Sequence, residues 1–248
     1  MTSPSHSAPG VYSRIGVIGD IHTAVDRLSW ALEVLRGQGV ELVCATGDIV
    51  DGPYNGSAVV RACELLQEAR ALTVLGNHDR WLLDRENRSV EGATFPEDID
   101  RATRSYLQLL PASAELHTPA GLMLLGHGLG SDDMCSLFPY DHGPALRNND
   151  MLQRLIAHNR YRYVVSGHTH ARMVRMLGPI TFINAGAIQE TREPCCLVLD
   201  FARESAQFFD WQTGGGTTLG PSFTLSQAAE IESVPAPAIG RRSSSDGI

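Results

Sequence analysis

The sequence predicts a single α/β domain built around a parallel β-sheet. In its first third, three short apolar runs alternate with two segments of helical periodicity, which gives the order βαβαβ with short connections. Polar residues follow each apolar run, as expected where strands end at a ligand site. A chain of 248 residues is long enough for one large domain of this class. We therefore expect a doubly wound parallel sheet with a site at the carboxyl ends of its strands.

Each element in this first third has its own local signal. Residues 14–19, 41–46 and 72–75 are apolar runs of strand length that end at glycine and polar residues. Residues 24–36 and 57–70 place apolar side chains every three or four positions, which is the spacing of one helix face. These segments are therefore predicted as three buried strands separated by two amphipathic helices.

The rest of the chain is predicted to hold a helical excursion followed by strands. Residues 81–111 are rich in charge and form a cap-like excursion over the sheet edge, with 98–110 as their clearest helix. A further helix is predicted at 151–158. Strands are predicted at 122–125, 161–165, 173–177, 180–183, 196–201 and 206–211. We expect the last four of these strands to be successive antiparallel neighbours.

The two ends of the chain differ in composition from the domain. Residues 1–13 are polar and contain two prolines, and residues 213–248 are rich in glycine, serine, proline and alanine. Segments of this composition bury too little apolar surface to fold on their own. We therefore predict flexible tails on either side of a single domain that spans residues 14–212.

Charge and cysteine content exclude several functional classes. The net charge is −8, with 28 acidic against 20 basic residues, so bulk binding to nucleic acid or to a membrane surface is not expected. No apolar run reaches the about 18 residues that a membrane-spanning helix requires. The five cysteines are odd in number and lack zinc-finger or redox spacing, which fits a reducing environment. We therefore expect a cytoplasmic protein without a membrane segment.

Potential metal ligands lie in five short clusters beside glycine. Most clusters follow an apolar run, so each side chain would be delivered by a turn at the end of a strand. Histidine, carboxylate and amide groups together suit divalent Mn, Fe, Zn or Co. Seven ligands exceed the needs of one tetrahedral ion and fit two ions that share a carboxylate, an arrangement used to hydrolyse phosphate esters. In chain order, the seven ligands are Asp20, His22, Asp48, Asn77, His127, His168 and His170.

The order of these clusters resembles the motif series of the calcineurin-like metallophosphoesterase superfamily. The series Asp-x-His, Gly-Asp, Gly-Asn-His-Asp, a lone His and Gly-His-x-His runs through residues 19–170 of this chain. Outside the motifs, the chain resembles the small bacterial branch of phosphatases and phosphodiesterases. The resemblance implies a four-layer α/β/β/α sandwich with a mixed two-sheet core. It also implies a dinuclear metal site at the carboxyl ends of the strands.

The resemblance assigns a role to each of the seven ligands. Three side chains would hold each ion and one carboxylate would bridge them: Asp20, His22 and His170 for the first ion, Asn77, His127 and His168 for the second, and Asp48 for both. The cofactors implied are two divalent ions, with Mn as the first candidate and Fe, Zn, Co or Ni as alternatives. A hydroxide that bridges the two ions would attack phosphorus in line with the leaving group.

Two further residues are implied to serve catalysis without binding metal. His78 follows Asn77 directly and would protonate the leaving oxygen. Asp51 resembles the acidic residue that orients this histidine in the protein-phosphatase branch, and Asp79 is the alternative orienting group. A carboxylate partner favours the protonated imidazole, which is the useful form for a general acid.

Two departures separate the chain from the Ser/Thr protein phosphatases. Gly52 and Leu75 stand where that branch has arginines that clamp phosphate. A bidentate arginine is a major aid in holding a phosphomonoester dianion. Arg80, Arg104 and Arg172 are the candidate substitutes for this clamp.

The leading functional prediction is a metal-dependent enzyme that hydrolyses a phosphomonoester or a phosphodiester, with a small phosphoester or a phosphoprotein as substrate. One alternative is a pyrophosphatase acting on dinucleoside polyphosphates. Another is a non-catalytic metal-binding scaffold of the same fold. Every ligand position is filled, which favours the enzyme over the scaffold. The sequence leaves the oligomeric state open.

Overall fold

The computed structural model describes residues 6–54, 56–189 and 193–225. The strands are β1 (His6–Val11), β2 (Arg14–Ile18), β3 (Leu42–Ala45), β4 (Leu72–Thr73), β5 (Ser113–Thr118), β6 (Gly121–Gly126), β7 (Tyr163–Ser166), β8 (Met173–Leu177), β9 (Ile180–Asn184), β10 (Cys195–Asp200), β11 (Ser205–Gln212) and β12 (Gly216–Thr224). The helices are α1 (Val25–Gly37), α2 (Gly56–Glu68), α3 (Asn77–Asp84), α4 (Arg101–Leu109), α5 (Pro144–Arg147) and α6 (Asp150–His158). Among the described residues, no helix has the length and apolar character needed to cross a membrane.

The strands form two six-stranded sheets, both of mixed direction. The first sheet has the order β1-β5-β6-β7-β9-β8 and the second the order β12-β11-β10-β2-β3-β4. The predicted βαβαβ unit forms one side of the second sheet, where β2, β3 and β4 pair in parallel. In the first sheet, β6, β7 and β9 are also parallel neighbours. Parallel strands from both sheets can therefore deliver side chains from their carboxyl ends.

Three hydrophobic clusters separate four layers. Helices α1 and α2 pack on the outer face of the second sheet, with Leu28, Leu35 and Leu66 fully buried there. The inner faces of the two sheets pack against each other. Helix α6 covers the outer face of the first sheet through Leu152 and Leu155. The four-layer α/β/β/α sandwich is thus confirmed.

The alternation of side chains along a strand explains how one strand serves two cores. Cys195 and Cys196 in β10 are both fully buried, yet Cys195 lies between the sheets and Cys196 lies under the helices. Burial raises the pKa of the Cys196 thiol far above its usual range. The expectation of a doubly wound sheet was wrong, because α1 and α2 cover only one face. The other face of the second sheet is covered by the first sheet.

The structure also corrects the predicted order and extent of the strands. The strands at 173–177 and 180–183 form an antiparallel pair, as do those at 196–201 and 206–211, but the two pairs belong to different sheets. The predicted tails were wrong where residues His6–Val11 and Gly216–Thr224 form edge strands. Residues 1–5 and 226–248 of the predicted tails lie outside the described residues.

The predicted excursion is only partly helical. Helix α3 begins earlier than the predicted excursion, at the ligand Asn77. Helix α4 lies within residues 98–110, the clearest helix predicted for the excursion. Between them, residues 85–100 form a loop without regular secondary structure. The N-cap of α4 is Asp100, whose side chain accepts a hydrogen bond from the backbone N–H of Thr103. This loop folds back to the predicted site, where Arg88 and Thr94 contact the Asp51 side chain.

Candidate functional site

The predicted ligands come from segments that follow five strands in two sheets. Strands β2, β3 and β4 of the second sheet lead into three clusters, and β6 and β7 of the first sheet lead into two. Loops supply Asp20 and His22 after β2, Asp48 after β3, His127 after β6, and His168 and His170 after β7, whereas Asn77 is the first residue of α3, after β4. The structure therefore brings all seven residues to one end of the sandwich, at the carboxyl ends of the strands.

Four of the seven residues form one compact group that could hold a metal ion. One ligand atom from each of Asp20, His22, Asp48 and His170 lies within 4.8 Å of the others. The Nε2 atoms of His22 and His170 face each other at 3.3 Å, and Nε2 of His170 lies 2.9 Å from Oδ2 of Asp20. That Asp20 oxygen is buried and has no hydrogen-bond partner among the described residues. A buried carboxylate oxygen that makes no hydrogen bond and lies 2.9 Å from an imidazole nitrogen fits a cation site.

The other three residues meet at the side-chain oxygen of Asn77. Nε2 of His127 lies 2.8 Å from this oxygen, and Nδ1 of His168 lies 2.9 Å from it. Asn77 and His127 are almost fully buried, so these contacts are shielded from water. An amide oxygen and two imidazole nitrogens at such distances form a second potential ligand group.

Asp48 lies between the two groups. Its Oδ2 is 3.7 Å from Nε2 of His22 in the first group and 3.2 Å from Nε2 of His127 in the second. Its Oδ1 accepts a hydrogen bond of 2.9 Å from the backbone N–H of His78. The position of this carboxylate is the one that a shared ligand would occupy.

The electrostatics of the site favour bound positive charge. Burial lowers the pKa of His127, but the Asp48 and Asp20 carboxylates outweigh it and raise that pKa to about 10. For Asp79, burial and the nearby charge of Asp48 raise the pKa to about 6. The shift of His127, and the part of the Asp79 shift that Asp48 causes, reflect the negative charge of buried carboxylates. A divalent cation would be attracted by the same negative charge and would displace the proton from the imidazole.

Backbone carbonyl groups behind the site fix the orientation of two imidazole rings. Nδ1 of His22 donates to the carbonyl oxygen of Asp51 at 2.6 Å, and Nδ1 of His127 donates to that of Thr46 at 2.7 Å. Each ring therefore turns its Nε2 towards the centre of the site. Such outer contacts select the tautomer that leaves Nε2 free to bind metal.

His78 pairs with Asp51, as predicted, and not with Asp79. Nδ1 of His78 lies 2.8 Å from Oδ2 of Asp51. Burial lowers the pKa of His78, but the hydrogen bond to Asp51 and the nearby carboxylate charges of Asp48, Asp51 and Asp79 together raise it above its usual value. The His78 side chain is 22% exposed, whereas that of Asp51 is 1% exposed, so the imidazole can reach a substrate and the carboxylate cannot. Asp79 accepts three backbone N–H groups instead, from Ile49, Val50 and Gly76. Its role is to fix the local backbone.

The three arginines considered as phosphate clamps are engaged elsewhere. Arg80 forms a two-point ion pair with Asp133 at 2.7 and 3.2 Å, and Arg104 donates to the carbonyl oxygen of Pro96. Arg172 pairs with Asp210 at 2.8 Å and with Glu193 at 2.9 Å. These contacts leave a substrate phosphate dependent on the metal ligands and on His78.

Sequence reasoning missed residues that support the site from outside. Arg88 and Thr94, from the loop between α3 and α4, both contact the Asp51 carboxylate. The Asn184 side chain donates to the carbonyl oxygen of Gly167 and to Oγ1 of Thr169 at 3.1 Å, and so holds the loop of His168 and His170. No sequence signal marked Arg88 as part of the site.

Five of the site residues have a left-handed backbone. The φ angles of His22, Asp48, Asp51, His168 and His170 lie between 44° and 64°. A non-glycine residue rarely adopts this conformation, because its Cβ then crowds the backbone. Such residues tend to cluster at functional sites, where the surrounding structure holds them in place. The turns aim the polar side chains inward at a cost in local conformational energy.

Gly76 lies very close to the Asp48 carboxylate, and its replacement by alanine is expected to weaken metal binding. A Cβ atom at this position would lie 2.2 Å from both N and Oδ1 of Asp48. The shared carboxylate would have to move, so we expect Gly76→Ala to lower metal affinity by about 10–100-fold, as for lost outer-shell support. Isothermal titration calorimetry with Mn²⁺ measures the metal affinity. Gly37→Ala is the matched control, because a Cβ there meets nothing within 4 Å; equal affinities in both variants would contradict the prediction.

Two open pockets border the site and give room for the organic part of a substrate. One, of about 550 Å³, is lined by His170 together with Arg172, Glu193 and Phe223. The other, of about 530 Å³, begins at Thr23, the residue after His22. Its further lining includes Tyr54, Arg61 and Trp211.

Comparisons with known proteins agree with this architecture. The sequence profile of the calcineurin-like phosphoesterase superfamily domain matches residues 14–204. The protein MJ0912 of Methanocaldococcus jannaschii is 35% identical over 77 residues, and the match covers 31% of this chain and 30% of that protein. The chain thus matches less than a third of this curated relative's length.

Solved structures share the fold at low sequence identity. An archaeal phosphodiesterase has a TM-score of 0.52 and 17% identity, and the alignment covers 79% of this chain and 99% of that chain. A metallophosphoesterase from Sphaerobacter thermophilus has a TM-score of 0.58 and 17% identity, with coverage of 81% and 88%. Because the family profile matches most of the chain, the protein belongs to the calcineurin-like phosphoesterase superfamily.

Proposed function

We propose that the protein is a dinuclear metal-dependent phosphoesterase that hydrolyses a phosphomonoester or a phosphodiester. The observation that carries this proposal is the convergence of six ligand side chains from two sheets around the seventh, Asp48, with the His78–Asp51 pair beside them. The superfamily assignment supports the reaction class. The donor set of imidazole, carboxylate and amide groups suits Mn²⁺ first, with Fe, Zn, Co or Ni as alternatives.

The site residues have two separate roles, which are to bind the metal ions and to transfer a proton. When bound, the divalent ions would supply Lewis acidity towards the phosphate oxygens and towards water. Asp20, His22 and His170 would hold one ion, Asn77, His127 and His168 the other, and Asp48 would contact both. The buried carboxylates concentrate negative potential where these ions would lie.

His78 is the proposed general acid. Asp51 accepts a hydrogen bond from Nδ1–H of His78, so Nε2 is the ring nitrogen that faces a substrate. As the bond from phosphorus to the leaving oxygen breaks, the Nε2 proton would pass to that oxygen and prevent a poorly stabilised alkoxide from forming. Asp51 stabilises the imidazolium before transfer and keeps the ring in position.

Two pockets beside the ligand loops favour substrates with organic groups. The pocket at His170 and the pocket at Thr23 share no lining residue, so they are separate cavities. A phosphodiester has two organic groups, one for each pocket. A dinucleoside polyphosphate has the same property, and for this reason it remains the second candidate substrate.

We expect the protein to hydrolyse p-nitrophenyl phosphate or bis-p-nitrophenyl phosphate in the presence of Mn²⁺, and EDTA to stop the reaction. The reason is that the buried carboxylates and imidazoles lack the positive charge needed to hold phosphate until metal binds. Release of p-nitrophenol measures the rate, and diadenosine tetraphosphate is added to the panel for the second candidate. Full metal loading without turnover of any of these substrates would refute the enzymatic assignment.

A further inference from the structure

Arg88 reaches the Asp51 carboxylate from a loop far along the chain. Its Nη1 donates to Oδ1 of Asp51 at 2.9 Å and its Nη2 donates to Oδ2 at 3.0 Å. This two-point geometry is the strongest form of an arginine–carboxylate pair. The Arg88 side chain is 12% exposed and that of Asp51 is 1% exposed, so solvent screens the pair little.

The loop that carries Arg88 is itself fixed around Asp51. Arg88 also donates to the carbonyl oxygens of Glu86 at 2.6 Å and Thr94 at 2.8 Å. The backbone N–H of Thr94 donates to Oδ1 of Asp51 at 2.8 Å, and the backbone N–H of Asp51 donates to Oγ1 of Thr94 at 3.1 Å. The turn after Asp51 is closed by a further bond of 3.0 Å from the N–H of Gly52 to the carbonyl oxygen of Gly92.

These contacts account for both oxygens of Asp51. Oδ1 accepts from Arg88 and Thr94, and Oδ2 accepts from Arg88 and His78. Rotation of the carboxylate would break several charge-assisted bonds at once, because a carboxylate has about four acceptor positions. The one contact that points towards the reaction centre is the bond to His78.

We propose that Arg88 is a positioning residue for the general acid, acting through Asp51 to hold His78 at the angle that proton transfer requires. The proposal rests on the proposed function and adds a task for the loop between α3 and α4. Arg88 would act without touching the substrate, since its guanidinium already donates to Asp51 and to two carbonyl groups. A phosphate contact by Arg88 would require those bonds to break.

The dependence of rate on the leaving group tests this role. Phenyl phosphate releases a phenol with a pKa of about 10, as in tyrosine, and so depends on the general acid. p-Nitrophenyl phosphate releases a much more acidic phenol and needs little protonation. We expect Arg88→Ala to lower kcat about 10–100-fold for phenyl phosphate but less than about threefold for p-nitrophenyl phosphate, with KM and metal content unchanged.

Matched variants separate positioning from other roles. Arg101→Ala removes an exposed arginine from the start of α4 and is expected to leave both rates unchanged. Arg88→Lys keeps the charge without the two-point geometry, and we expect an intermediate, still leaving-group-dependent loss. In the His78→Ala background, the further loss caused by Arg88→Ala is expected to vanish, because the two residues act as one unit. If Arg88→Ala does not fold, Arg88→Lys provides the same comparison.

Several results would overturn the proposal. Equal losses with both substrates would assign Arg88 to the folding of the loop, and a rise in KM for both would make it a phosphate ligand. Unchanged rates, or a full additional loss in the His78→Ala background, would exclude positioning through His78. Failure of the unmodified, Mn²⁺-loaded protein to hydrolyse these two monoesters, bis-p-nitrophenyl phosphate and diadenosine tetraphosphate would instead refute the proposed function itself.

Discussion

Replacement of Asp48 by alanine is expected to abolish metal binding at both groups and hydrolysis with it. The Oδ2 atom of Asp48 lies between His22 and His127, so one substitution removes a ligand from each group. The loss should exceed the about 10–100-fold change seen when only outer-shell support is removed. Metal content by inductively coupled plasma mass spectrometry and the rate with bis-p-nitrophenyl phosphate are the measurements.

Asp150→Ala is the matched control for this substitution, since Asp150 is an exposed carboxylate at the start of α6. It should keep full metal content and full activity. If Asp48→Ala retained both ions and turned over substrate at the normal rate, Asp48 would not be the shared ligand. A loss of exactly one ion with residual activity would place Asp48 in one group only.

Replacement of His78 by alanine is expected to lower kcat by about 10²–10⁴-fold while metal content stays complete. The imidazole pairs with Asp51 through Nδ1 and makes none of the contacts that join the two ligand groups. Its loss removes the proton donor and leaves the ligands in place. Steady-state kinetics with phenyl phosphate, together with metal analysis, test this expectation.

The control for the histidine substitution is His158→Ala, which removes an exposed imidazole at the end of α6. Both kcat and metal content should be unchanged in His158→Ala. A drop in metal content in His78→Ala would show that His78 is a ligand or supports one. A normal kcat with a poor leaving group would remove it from catalysis.

Much of the fold could be predicted because buried elements leave periodic patterns. Strand β2 and helix α1 were located within one or two residues, since β2 alternates its apolar side chains between two cores and α1 places its apolar side chains on one face. The pairing of strands was harder to predict. Strand β9 lies beside β7 in one sheet, whereas the next strand, β10, lies beside β2 in the other. Only contacts between distant parts of the chain decide this.

The edge strands could not be predicted for a different reason. Strand β12 is exposed along most of its length, so it lacks the alternation of apolar and polar residues that marks a half-buried strand. Backbone hydrogen bonds to β11 hold it, and these leave no trace in side-chain chemistry. A glycine-rich segment of this kind has the composition of a tail even where it is paired.

The candidate ligands could be selected from the sequence, whereas the residues that support them could not. The clusters carry chemically distinctive residues in a fixed order, so Asp48 and His78 could be selected from the sequence alone. Arg88 lies 37 residues from Asp51 in an irregular loop, and its contact depends on how that loop folds back. The left-handed turn at Asp51 was equally hidden, because an aspartate gives no signal of its φ angle.

The most direct test of the central claim is a titration of chelator-treated protein with Mn²⁺ that records bound metal and hydrolysis of bis-p-nitrophenyl phosphate together. Two ligand groups joined by Asp48 predict that activity rises until two equivalents of metal are bound and then stays constant. Full activity in the presence of chelator would contradict a metal-dependent mechanism. Saturation at a single equivalent would contradict a dinuclear site.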